Sequence, residues 1–419
     1  MKWITRVLFK RKVKNEDLRF YKSIGFIILL GQAFGIMPLR GVTGATERSI
    51  YFTWKSWRVL YTVFILAGTL FCVYASLMAA IQQDDNMSLI TASIFYGTSF
   101  VVHILFVLLA KNWSQLMRKW CAVDVSMRSY GYPPHLDARL KILSGIVLTC
   151  ATAEHIIVVT KNMITAHSCL SVEFFEYYFA RISYPQVFAI VRYSFWFGLI
   201  MQIITTASTF SWTYIDLFII LLSTSLAVRF KQVAKRVETY VNSKVLVSDI
   251  VLWRNVREDY NRLGKLCKAL NDALSYIVLL SFGSNLFFIL VQFFHSLRPI
   301  GGTFNKIYFF YSFGFLIGRT ICVSLYGAWI HDESQKPLPL LNSVSSSVYN
   351  VEIRRFILHV GIETISLTGK RFFNVTRSII LSIAGTIVTY ELVLIQFYGF
   401  QIQTASEGNS SCSVRIQYS

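Results

Sequence analysis

The sequence predicts an all-α membrane protein with seven transmembrane helices, a cytoplasmic N-terminus and an extracellular C-terminus. Three observations carry that reading. Of 419 residues, 54% are hydrophobic, 16% aromatic and only 15% charged, which leaves too little polar surface to coat a water-soluble globule. Seven apolar stretches reach the roughly 20 residues that a helix needs to cross a hydrocarbon core of about 30 Å. The basic residues between those stretches fall predominantly on alternate loops.

Residues 1–58 form the N-terminal segment. Basic residues interrupt every short apolar run in MKWITRVLFKRKVKNEDLRF, so no cleaved signal is expected and the segment stays in the cytosol. Six spans are bounded clearly by charge: 59–81, 88–110, 142–160, 275–294, 307–330 and 378–400. The stretch 186–230 is broken only by Arg192 and Asp216, and its length allows one crossing or a hairpin. A hairpin near Thr205 to Thr209 would lack Gly and Pro at its turn and would export the basic segment that begins at Arg229. One crossing is therefore expected. It puts 34 Lys and Arg on the cytoplasmic side against six outside, with Arg319 inside a span, out of 41 in all.

The resulting organisation is 1–58 cytoplasmic, 59–230 spans one to four, and 231–274 cytoplasmic helical extensions of spans four and five. It continues with 275–330 as spans five and six, 331–377 as a cytoplasmic loop, 378–400 as the last span and 401–419 as an extracellular tail. The extensions are expected to be helical because Val251, Leu263, Leu266 and Leu270 recur at helical intervals without Pro. Asn86 and Asn409 head glycosylation sequons in outer segments.

The net charge of +19 suits positive cytoplasmic loops, and no nucleic-acid partner is expected. Seven cysteines without paired or CxxC spacing predict neither a disulfide scaffold nor a metal site. No Gly-rich phosphate loop, HExxH or GxSxG occurs, so neither enzyme activity nor a cofactor is expected.

Polar residues inside spans are costly and are candidates for function or pairing. Glu154 and His155 lie in the outer half of span three, with Tyr96 and the deeper His103 in span two. Tyr193 and Trp196 fall near the outer end of span four, Asn285 in span five, and Tyr308 and Tyr311 in span six. Rings beside amides and a carboxylate suit a small polyhydroxylated ligand, because rings cover C–H surfaces while the polar groups meet hydroxyls. Core packing and an interfacial aromatic belt are the alternative reading for many of these rings. His103 reads as a packed histidine.

In the last span Thr389, Val393, Gln396 and Phe397 share one helical face while Glu391 points nearly opposite. Such a face suits a pore wall, with amides near hydrated ions and rings that close the path by dewetting. Helix packing with Thr and Gln as interhelical glue is the other explanation. Counting inward from the outer ends places Arg319 and Glu391 within about 4 to 5 Å of one another in depth, which makes them candidates for an ion pair or one shared polar network; separate contacts with backbone carbonyls or water are the competing reading.

The segment TYELVLIQF (389–397) resembles the C-terminal signature of insect gustatory receptors, and its Glu after Tyr resembles the sugar (sweet-taste) receptor branch. GQAFGIMPLRGV (31–42), WRNVREDYNRLGKLCKALNDALS (253–275), LLSFGSNLFFILVQ (279–292) and LTGKRFFNVTRSIILSIAGTIVTYELVLIQF (367–397) are similar to blocks of the same branch. The resemblance implies the subunit of a tetrameric channel, homomeric or mixed with related receptors. A cation pore lined by the last span, with Gln396 and Phe397 at its gate, would be opened by extracellular mono- or disaccharides. It also implies an anchor region within 331–377, lipid as solvent, and residence in the plasma membrane of a sensory neuron. A G-protein-coupled receptor is the competing seven-helix class. It predicts an extracellular N-terminus, a Glu/Asp-Arg-Tyr after span three and NPxxY in span seven, none of which this chain has.

Overall fold

The computed structural model describes residues 19–44, 47–82, 87–167, 173–242, 249–296 and 302–402; the side chains of Arg19, Lys22, Glu47 and 394–402 fall outside that description. Nine helices organise the described residues. They are α1 (Arg19–Ala33), α2 (Trp57–Gln82), α3 (Met87–Ser126), α4 (Leu136–His167), α5 (Phe195–Asn242), α6 (Ile250–Ser296), α7 (Thr303–Gln335), α8 (Val351–Ile362) and α9 (Ser378–Ile402). Short helical turns join some of them, and a two-residue antiparallel ladder, Leu39–Arg40 against Tyr51–Phe52, follows α1.

Helices α2 to α7 are long and apolar enough to cross a membrane, which makes this a multi-pass membrane protein. The 25 residues of α9 span about 38 Å at 1.5 Å per residue, also enough for the crossing. Helix α5 is the axis of the fold. Of its most apolar stretch 89% is buried, against 11% for α4, and it packs on α1, α2, α3, α4, α6 and α7. So much Ser and Thr is tolerated there because the hydroxyls bond back to carbonyls one turn earlier: Ser208 to Ile204, Thr209 to Thr205, Thr224 to Ile220 and Ser225 to Leu221. The helix is unbroken through Thr205 to Thr209, as a single crossing requires.

The start of α5 differs from the sequence reading. Residues from Gln186 do not yet belong to it: Pro185 opens a one-turn helix to Phe188, preceded by a π-helical turn, Tyr177–Ser183, and α5 begins only at Phe195. Apolar composition is shared by the span and by this aromatic cap, which folds over α2 and the start of α5 through Phe179, Tyr184 and Val187.

At the basic end, α3, α5 and α6 continue beyond their apolar stretches and pack as one body with α8. Arg229 of α5 meets Asp124 of α3 at 2.6 Å, and Arg257 of α6 meets Glu352 of α8 at 2.7 Å. Helix α1 docks against this bundle by close approach. A Cβ on Gly31 would lie 2.7 Å from the ring of Tyr214, whose hydroxyl donates to the Ile27 carbonyl at 3.1 Å.

Candidate functional site

In the half of the bundle remote from the basic loops, polar stripes on α4, α5 and α7 converge. Cys150, Glu154 and Lys161 follow one another at steps of four and seven on α4; Gln202, Thr205, Thr206 and Thr209 share a face of α5; Tyr308, Tyr311 and Ser312 share one on α7. Ser312 donates to Glu154 Oε1 at 2.5 Å, and Tyr311 donates to the Cys150 carbonyl at 3.0 Å. Gln292 of α6 reaches Ser312 at 3.4 Å. The Lys161 ammonium stands 4.9 Å from the centre of the Tyr308 ring.

On the α5 side, His155 Nε2 and Thr206 Oγ1 are 3.2 Å apart, and Tyr96 shares a 3.0 Å hydrogen bond with Thr205. Tyr184 and Tyr178, from the aromatic cap, both donate to Gln202 Oε1, at 2.9 and 3.3 Å. Carboxylate, amide, imidazole and hydroxyl groups from α3, α4, α5, α6 and α7 thus alternate around phenol rings of these helices and the cap. Hydroxyl donors of a neutral polyol would find acceptors here, and ring faces would cover its carbons.

The sequence-predicted residues divide into two sets. Glu154, His155, Tyr96 and Tyr311 belong to this cluster. Tyr193 and Trp196 do not: Tyr193 packs on Phe188 in the cap, and Trp196 is 73% exposed beside Phe195. Asn285 is not a ligand candidate either, because both ends of its amide are used. Its nitrogen donates to Asp216 at 2.9 Å and its oxygen accepts from Arg319 at 3.2 Å. Gln202, Thr206, Ser312, Tyr184 and Lys161 were not singled out from the sequence; the spacing of seven from Glu154 is the signal that could have found Lys161 on α4.

The candidate pairing of Arg319 with Glu391 is corrected. Arg319 Nε lies 2.8 Å from Asp216 Oδ2, Nη1 donates to Thr213 at 2.9 Å, and the Trp212 ring covers the guanidinium at 4.2 Å. Ser281 also donates to Asp216. The reason is position around the axis: α5 lies at the centre of the bundle facing α7, whereas Glu391 sits on the peripheral α9. His103 packs as expected, its ring nitrogens against the Ser99 and Phe34 carbonyls at 2.7 and 3.0 Å.

Helix α9 makes its main contacts with α6 and α7 through one side, on which Ile379, Ile380, Ile383 and Ile387 pack. Leu381, Val388, Thr389, Leu392 and Val393 are exposed. The side chains of Gln396 and Phe397, and the sequons at Asn86 and Asn409, lie outside the described residues.

A family model described as trehalose receptor matches residues 5–406 of the chain. The chain belongs to the trehalose receptor family. Among curated relatives of this family member, the gustatory receptor for sugar taste 64f of Drosophila melanogaster is 33% identical over 91% of this chain and 82% of that protein. The Drosophila melanogaster gustatory receptor 5a for trehalose is 30% identical over 93% of this chain and 87% of its own length. The fold is that of the insect olfactory receptor OR5 from Machilis hrabei, with a TM-score of 0.69 at 14% identity over 91% of this trehalose receptor family chain and all of the other. The same receptor in complex with eugenol gives 0.68. This fold sets aside the G-protein-coupled alternative.

Proposed function

We propose that the chain is a sugar-gated, non-selective cation channel acting as an insect sweet-taste receptor, in which extracellular sugar opens a tetrameric pore. The observation that carries the reading is the hydroxyl- and amide-rich cluster around Glu154, Gln202 and Thr206, remote from the basic loops, in a chain whose relatives are named for sugar and trehalose taste. The 34 to 6 division of basic residues supports a cytoplasmic N-terminus, seven crossings and an extracellular C-terminus. On that topology the cluster lies in the extracellular half, and the packed ends of α3, α5, α6 and α8 form a cytoplasmic anchor.

Helix α9 is the pore-lining element of this proposal. Its exposed face of Thr389 and Val393 continues by helical period to Gln396 and Phe397. Four such helices would enclose a path for permeant cations, in homotetramers or with related receptors, in the plasma membrane of a sensory neuron. The protein then works by binding and gating rather than by catalysis.

Recording currents from the chain expressed alone, against a panel of mono- and disaccharides, tests this. Sugar-evoked cation currents with a reversal potential near zero are expected. Silence at confirmed surface expression, broken only by adding a related receptor, would assign the sugar response to mixed assemblies; silence in both would sink the reading.

A further inference from the structure

A polar cavity of about 470 Å³ lies at the basic end between α6 and the turn that precedes α9. Its walls are Asn271, Asp272 and Ser275 from α6 and Thr368, Lys370 and Arg371 from the turn. The volume falls within the roughly 300 to 1,000 Å³ of small-ligand sites. Nothing in the proposed sugar response uses it.

The turn is firmly built. Asn271 Oδ1 accepts from the Thr368 backbone at 2.7 Å and from its hydroxyl at 3.1 Å. The Gly369 amide donates to the Phe373 carbonyl at 3.1 Å, the Val375 amide to the Leu367 carbonyl at 2.8 Å, and the Phe373 ring packs on Phe282. Within this frame Lys370 and Arg371 hold φ of 51° and 66°, the left-handed region that glycine or asparagine adopts more readily. Two successive cations are kept where the backbone disfavours them, as happens at ligand clamps. The Lys370 ammonium lies 4.1 Å from the centre of the Tyr276 ring, so it reaches across to α6.

Depth and surroundings identify the class of ligand. Asp272 is the last ionic residue of α6 before the uncharged run 273–294, and Arg377 is the last before 378–390 of α9. The cavity therefore lies where a bilayer's headgroups begin. Phe372 is 80% exposed and Tyr276 half exposed beside it, aromatic groups suited to the interface. Lys265 and Lys268 add exposed cations on the same stripe of α6 as Asp272 and Tyr276. Lys370 and Arg371 suit phosphate oxygens. A bare phosphate would be repelled by Asp272, whereas a phosphate carried on a ring of hydroxyls gives Asp272, Asn271 and Ser275 groups to meet.

We infer that the notch between Asn271–Ser275 and Thr368–Arg371 binds the phosphorylated headgroup of an inositol phospholipid in the leaflet at the basic end. The site is separate from the sugar cluster and rests only on the chain's being in a membrane, so a binding assay tests it without reference to taste.

The full chain, purified in detergent micelles, is titrated by thermophoresis with dioctanoyl phosphatidylinositol 4-phosphate. Dioctanoyl phosphatidylserine, dioctanoyl phosphatidylcholine and soluble inositol 1,4-bisphosphate are run in parallel. The inositol lipid should bind at least tenfold more tightly than the other three. Lys370→Asn with Arg371→Asn, which removes both charges while keeping residues that tolerate positive φ, should weaken it at least tenfold. Asp272→Lys, on an exposed helical face, removes the acceptor that meets the ring hydroxyls and adds a cation for any phosphate, so it should narrow the preference for the inositol lipid over phosphatidylserine to less than tenfold; it provides a second variant should the turn fail to fold. Equal binding of soluble inositol bisphosphate would overturn the lipid source, and equal binding of phosphatidylserine the inositol headgroup. An unchanged preference between the two lipids in Asp272→Lys, or unchanged affinity in a folded double variant, would overturn the site.

Discussion

Arg319 Nε and Asp216 Oδ2 are 2.8 Å apart in the middle of the bundle, both side chains almost wholly removed from solvent. Two such charges cost far less together than apart, because each replaces part of the hydration that the other lost. Thr213, Ser281 and Asn285 complete the coordination and tie α5, α6 and α7 at one level.

Breaking the pair from one side should therefore be severe. Asp216→Asn or Arg319→Met alone is expected to cost about 3 to 5 kcal/mol, seen as loss of surface expression and a lower melting temperature in detergent. The double variant should recover part of that loss. Strict additivity of the two single effects would show that the groups do not depend on one another.

Glu154→Gln and Gln202→Ala each remove an acceptor from the cluster between α4, α5 and α7, and Thr206→Val removes the hydroxyl that faces His155. At about 1 to 3 kcal/mol per lost contact, half-maximal sugar concentrations should rise roughly 5- to 150-fold with unitary conductance unchanged. Trp196→Ala should leave the dose-response curve in place, because that ring stands exposed outside the cluster. A right shift confined to Trp196→Ala would move the site to the tip of α5.

The close approach of α1 to α5 gives a packing test independent of ligand. Gly31→Ala drives a methyl group into the Tyr214 ring and should destabilise by about 1 to 3 kcal/mol. Tyr214→Leu in the same chain vacates the ring and should ease the defect even though it also loses the bond to Ile27. Equal melting temperatures for wild type and Gly31→Ala would show that α1 docks more loosely than this contact demands.

Acid sensitivity at the basic end follows from Glu352. The hydrogen bond and charge of Arg257, with Arg355 and Arg254 nearby, hold its carboxyl below the usual carboxylate range. A carboxylate depressed in the folded state contributes fully above its unfolded pKa of about 4.3, and its contribution is lost as pH falls through the folded value. Glu352→Gln should lower the melting temperature at pH 7 and flatten its dependence on pH below about 4. A variant whose acid limb parallels the wild type would exclude Glu352 from that transition.

The membrane made much of this fold legible in advance, since a fixed hydrocarbon thickness and the cost of charge mark the apolar runs that lie within these helices, though not the helix ends: α3 continues past its apolar run to Ser126. It could not reveal where α5 begins, because Phe, Tyr and Val populate the cap from Tyr177 to Phe188 as readily as a span. Glu154, His155, Tyr96 and Tyr311 were visible as polar groups inside apolar runs. Thr206 and Ser312 were not, because hydroxyls that bond to their own helix are common in such spans and carry no sign of a partner. The partner of Arg319 was missed for a geometric reason. Depth counted along two helices fixes an axial offset but not the angle around the bundle, and Asp216 on the central helix faces Arg319 where Glu391 on the peripheral one does not.

The gate prediction draws on both kinds of reading. Helix α9 packs by its isoleucines on α6 and α7 and exposes Thr389 and Val393, and its backbone remains helical to Ile402. One hundred degrees per residue carries that exposed face to Gln396 and Phe397. If four copies of this face enclose the pore, Phe397 rings near its outer end would exclude water and stop ions without any charge. Phe397→Ala should then leave a wetted constriction and raise current in the absence of sugar, while Gln396→Ala should change conductance or ion preference more than sugar sensitivity. A helix that only packs against neighbours would respond differently, because the truncation would then create a cavity that lowers expression and passes no sugar-independent current. Patch recordings at matched surface expression separate the two, and a quiet baseline with unchanged unitary conductance in both variants would remove this face of α9 from the pore.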